Sequence, residues 1–113
     1  MHELSIARSI IGAVQKEASR KGAATVRQLE LLVGPLSGVE LPSLEFGLQV
    51  LSRGSVLEDA VINITSPKAE GKCLDCGAVF ELTFHYAACP VCGSFRTEVL
   101  SGKELKILSI VIE

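Results

Sequence analysis

The sequence contains no tryptophan, one tyrosine, one methionine and two histidines, and aromatic residues make up 4% of its 113 positions. Any chemistry has few groups to draw on, and the scarcity makes His2 conspicuous. No apolar run approaches the ~18 residues that a membrane helix needs, and the first residues lack the basic flank and long apolar stretch of a secretory signal. The reading is a cytoplasmic protein with no membrane partner. Positive charge is not in excess either: eleven Lys plus Arg against thirteen Asp plus Glu give a net charge of -2, which offers no field for gathering phosphates. Nucleic acid is therefore not an expected partner. A glycine-rich loop ending in Lys-Ser or Lys-Thr is absent, so the chain shows no phosphate-binding loop of that kind. The length leaves room for one ordinary domain and at most a small inserted module, which excludes a large multidomain enzyme.

Hydrophobic residues at 48% and charged residues at 21% are what a folded globular chain has. Leu4, Ala7, Ile11, Val14 and Ala18 recur at helical spacing and predict a helix over 3–21, with Gly22 as its stop. Gly12 inside it either costs stability or admits a neighbouring backbone. Leu29, Leu31 and Val33 alternate in a strand over 25–33, ended by Gly34-Pro35. Pro42 suits the first turn of a second helix over 42–53, whose buried face would draw on Leu44, Leu48 and Leu51 with Phe46 and Val50 beside them. Residues 60–65 form a second strand, and 105–112, apolar on both faces apart from Lys106 and Ser109, read as an interior third.

That last strand can pair only with the two that precede the cysteine-rich segment, so the segment is an insertion. The expected fold is α+β: two helices on a three-stranded mixed sheet with an inserted four-cysteine zinc-ribbon module. Residues 1–66 plus 102–113 would make the main domain and 67–101 the inserted one, the polar stretch from Ser66 to Lys72 marking the boundary.

The cysteines occur as Cys73-x-x-Cys76-Gly77 and Cys89-x-x-Cys92-Gly93. A two-residue gap lets both sulfurs of a turn face one centre, so two such turns can surround a tetrahedral ion and leave no open position for substrate. Each following glycine can adopt positive φ and turn backbone N–H groups toward the sulfurs. A structural Zn(II) is the expectation, although tetrahedral iron has the same spacing. Disulfides fit less well without an export signal, and a redox dithiol gives no reason for the second pair. Between residues 72 and 98 the only Lys or Arg are Lys72 and Arg96, against Asp75, Glu81 and Glu98, which speaks against a nucleic-acid-binding ribbon.

At the opposite end, the Met1 α-amine, the His2 backbone nitrogen and the His2 imidazole can wrap one ion in small chelate rings, with Glu3 as a fourth donor. Nitrogen-rich planar sets favour Ni(II) or Cu(II) over zinc. A solvated histidine at a loose terminus is the plainer alternative.

Met1-His2-Glu3-Leu4-Ser5-Ile6-Ala7-Arg8-Ser9, Gly34-Pro35-Leu36-Ser37-Gly38-Val39-Glu40, the two cysteine pairs and Gly102-Lys103-Glu104-Leu105 with its apolar strand resemble the HypA/HybF family of hydrogenase maturation proteins, in order and over essentially the whole chain. The resemblance implies a non-enzymatic nickel metallochaperone that works with the GTPase HypB to load the large subunit of [NiFe]-hydrogenase. Some members also serve urease maturation. It further implies Ni(II) as cargo at Met1, His2 and Glu3, with Glu40 near the nickel, and structural Zn(II) at Cys73, Cys76, Cys89 and Cys92.

Overall fold

The computed structural model describes residues 2–113. Along the chain come α1 (Glu3–Arg20), β1 (Val26–Val33), α2 (Leu41–Leu51), β2 (Val61–Thr65), β3 (Glu70–Cys73), β4 (Val79–Glu81), β5 (Thr97–Ser101) and β6 (Leu105–Ile112). They fall into two compact units: residues up to Leu31 with Val39–Thr65 and Lys106–Glu113, and Leu32–Gly38 with Ser66–Leu105. No helix among the described residues is long and apolar enough to cross a membrane.

The first unit has the expected α+β architecture. In α1 the apolar stripe buries Ala7, Ile10, Ile11, Val14 and Ala18, while Leu4 remains exposed. The helix ends where Gly22 takes φ +68° and the N–H groups of Gly22 and Ala23 bond the carbonyls of Ser19 and Ala18, the left-handed stop that glycine makes possible. Nothing would meet a Cβ on Gly12 within 4 Å, so that glycine admits no neighbour. α2 opens with Pro42 in its first turn and buries Leu44, Gly47 and Leu48. Phe46 and Val50 were expected on the buried face, yet Phe46 is 67% exposed. Two residues beyond Leu44 the helix has turned by roughly 200°, so the ring falls on the opposite side. The two helices approach through small residues: a Cβ on Gly47 would lie 3.2 Å from Ala7 Cβ.

The sheet of this fold has the order β2-β1-β6. Ala24 donates to the Glu113 carbonyl and Glu113 to that of Thr25, which sets the end of β6 at the start of β1, antiparallel. β2 runs parallel to β1, completing a mixed sheet, and Asn63 Nδ2 donates to Glu30 Oε1 at 2.9 Å. β1 is the central strand and buries Leu29, Leu31 and Val33 by alternation. The expectation of an interior β6 is corrected: it lies at the sheet edge, with Leu105, Ile107, Leu108 and Val111 each more than a third exposed. Apolar residues on both sides of a strand signal burial of both faces only when a layer covers each, and two helices supply one layer.

The second unit is a small antiparallel sheet, β4-β3-β5, in which Gly71 faces Phe80 on one side and Val99 on the other. A bulge lies between Glu70 and Gly71. Its core is Leu36, Ala69 and Leu82, with Phe80, Ala87 and Val99 packed around them. Gly34 and Gly102 let two backbones touch here: Gly34 N–H bonds the Glu104 carbonyl and Leu36 N–H that of Gly102, each at 2.7 Å. Any Cβ on Gly34 would collide with the Gly102 carbonyl.

Candidate metal sites

Cys73 ends β3 and Cys76 sits in the turn after it, whereas Cys89 and Cys92 lie in the long connection from β4 to β5. The two Cys-x-x-Cys-Gly turns share one hydrogen-bond pattern. Cys73 N–H bonds the Ala78 carbonyl and Gly77 N–H the Cys73 carbonyl; Cys89 with Ser94, and Gly93 with Cys89, repeat it at 2.8 Å. Gly77 and Gly93 take φ +81° and +76°, which permits the turn. Each leading sulfur accepts a backbone N–H at 3.4 Å, Cys73 Sγ from Cys76 and Cys89 Sγ from Val91.

All four Sγ atoms lie within 4.8 Å of one another. The shortest separations, 3.5 Å for Cys73–Cys92 and 3.6 Å for Cys76–Cys89, cross between the turns. Four sulfurs ~2.3 Å from a tetrahedral centre stand about 3.8 Å apart, so the set fits one metal ion, and no disulfide is formed. Cys73 and Cys89 are buried and Cys76 and Cys92 exposed. The Cys76 N–H holds the Cys73 thiol down to about 6, and the Cys92 N–H likewise lowers Cys89. Cys92 is pushed up to about 12: the Ser94 N–H pulls it down, but Cys73, burial and the other thiols outweigh that bond. Four thiols this close cannot all shed protons unaided, and a divalent cation is what makes the thiolate set stable.

A clamp that the sequence did not announce joins the two turns. Asp75 accepts from Ser94 Oγ and from Arg96, both at 2.5 Å. Nothing in the spacing of these residues marks them as partners.

The N-terminal candidates are partly assembled. His2 is exposed and precedes α1, its carbonyl accepting the Ile6 N–H at 3.0 Å. Glu3 is 9% exposed, and its Oε2 accepts the Glu40 N–H at 3.1 Å. Glu40 stands immediately before α2, so this bond ties the starts of the two helices together. The Glu40 N–H is also the main cause that lowers the Glu3 carboxyl pKa. Met1 lies outside the described residues. Among the described residues the four cysteines are the one group of three or more metal-ligating side chains close enough to hold an ion; His2, Glu3 and Glu40 are not gathered into a second.

The family model described as hydrogenase/urease nickel incorporation, metallochaperone, hypA, matches residues 1–112. The chain belongs to the HypA family. HypA proteins are metallochaperones and maturation factors rather than enzymes. Proteins named hydrogenase maturation factor HypA from Parabacteroides distasonis and Prosthecochloris aestuarii are 48% and 44% identical over all 113 residues, covering 98% and 100% of those relatives. The solution structure of the Ni metallochaperone HypA from Helicobacter pylori superposes with a TM-score of 0.68 at 26% identity, covering 99% of this chain and 97% of that one. A second solution structure of a HypA protein gives 0.72, also at 26% identity, over 100% and 97%.

Proposed function

We propose that this HypA protein binds Ni(II) at its N-terminus and delivers it, with the GTPase HypB, to the large subunit of [NiFe]-hydrogenase in the cytoplasm. Met1, His2, Glu3 and Glu40 form the nickel site of a domain comprising 1–66 and 102–113. The observation that carries the reading is the Glu3–Glu40 bond, which sets a second carboxylate-bearing residue next to the first turn that follows His2. With Oε2 committed to that N–H, Glu3 acts on nickel through its remaining oxygen or by holding Glu40 in place. The amine and imidazole supply the planar nitrogen donors that Ni(II) prefers, and a short terminal chelate can release its ion stepwise to a receiving site.

Zn(II) in the cysteine set of the inserted 67–101 domain is structural, because four thiolates fill its coordination sphere. Urease maturation proteins are further partners in this reading, as the family description names both enzymes.

The test is a Ni(II) titration of the untagged, zinc-loaded protein beside the same protein extended by one residue before Met1. Tight binding lost on extension is the expected result. Equal binding by both forms would remove the α-amine from the site.

A further inference from the structure

A cleft between α2 and β2 takes part in neither metal site. It encloses about 510 Å³, within the range of built ligand pockets. Glu45, Leu48 and Ser52 form its helix side, Glu58 its end, and Ile62 and Ile64 its strand side. Those two isoleucines are two residues apart, hence on one face of β2, and both are half-buried while Val61, Asn63 and Thr65 are exposed.

β2 is an edge strand, paired with β1 on one side only. No residue of β1 lines the cleft, so the cleft opens along the unpaired edge. An extended chain laid there would satisfy the free main-chain groups of β2 and lower every second side chain into the cleft.

The cleft also states what those side chains should be. Leu48, Leu57, Ile62 and Ile64 give it aliphatic surface, Gln49 and the carboxylates of Glu45 and Glu58 give it polar surface, and neither Lys nor Arg lines it. Such a site suits a side chain with an apolar stem and a cationic head. A further polar group is left without use: Ser52 is 4% exposed, and its Oγ has no hydrogen-bond partner. A satisfied fold pairs buried hydroxyls, so this one marks the wall as incomplete until something enters.

We infer that the β2 edge and this cleft form a docking groove for an extended segment of a partner protein that carries Arg or Lys at alternate positions. The segment adds as a strand to β2, with its basic side chains lying over Ile62 and Ile64 and ending at Glu45 and Glu58. The groove is independent of nickel.

The probe is acetyl-Thr-Arg-Thr-Arg-Thr-amide, titrated into the 15N-labelled full-length protein and followed by amide shifts. Saturable shifts confined to 45–65 are expected. Binding should weaken about fivefold or more in Glu45→Gln/Glu58→Gln, or with glutamate in place of the peptide arginines. Methylating alternate peptide nitrogens should weaken it about tenfold, as strand pairing requires. Glu45→Lys alone serves as a second variant, because Glu58 also accepts the Gly54 N–H. Absence of saturation, shifts elsewhere, equal binding of the acidic peptide, indifference to N-methylation, or a β2-to-β2 dimer that the peptide does not compete with would each overturn the proposal.

Discussion

Glu3 is the residue at which fold and proposed function meet. A carboxylate in the first turn of α1 already suits the helix dipole, and its bond to the Glu40 N–H adds a long-range tie. Because the folded carboxyl pKa is lowered, the contribution is present in full above the ordinary glutamate value of ~4.3 and is lost as pH falls through the folded value. Glu3→Gln should therefore lower the melting temperature near neutral pH, with the difference from the parent shrinking on acidification; parallel melting curves across the range would contradict this. His2→Ala is expected to abolish tight Ni(II) binding while leaving bound zinc and the melting temperature unchanged, as read by titration calorimetry, metal analysis and thermal melts. His2 is exposed, and the bond it makes to the Ile6 N–H uses its backbone carbonyl, which the substitution keeps, so the fold has little to lose.

Among the elements, α1 carries an avoidable weakness and the second unit a point of no tolerance. Gly12 is exposed in mid-helix with nothing near its absent Cβ. Gly12→Ala should stabilise the protein by about 0.5–1 kcal/mol, measurable in urea melts. Gly34→Ala should do the opposite and cost about 2 kcal/mol or more, because the added carbon occupies the space of the Gly102 carbonyl and the alternative is to break the bonds to Gly102 and Glu104. Helix limits were legible from periodicity and punctuation: α1 and α2 each begin within a residue of the sequence-based expectation. Which side of α2 is buried was less so, since Phe46 and Val50 make the helix apolar on two sides and only the position of α1 selects one.

For the molecule as a whole, the unequal cores decide what metal must do. One unit buries apolar side chains from both helices and from β1, whereas the other rests on Leu36, Ala69 and Leu82. A core of that size falls short of holding some forty-seven residues without a staple, about the length at which metals or disulfides become necessary. Removing the ion with a strong chelator should collapse amide dispersion for residues 66–105 while helical circular dichroism persists. Retained dispersion in that segment would show that the metal does not hold the fold.

The sequence by itself determined the helices, the alternation of β1, the tetrahedral cysteine set and the relationship to HypA proteins, because each is written in local spacing or in motifs that survive as short strings. Tertiary structure alone decided the rest. β6 became an edge strand because sheet order, and not composition, sets which strands are enclosed. Glu3 turned toward Glu40, thirty-seven positions away, and Asp75 toward Ser94 and Arg96, through contacts that no periodicity encodes. The cleft beside β2 belongs to the same class: its carboxylates and its aliphatic side chains come from separate elements, and they become one surface only when the chain has folded.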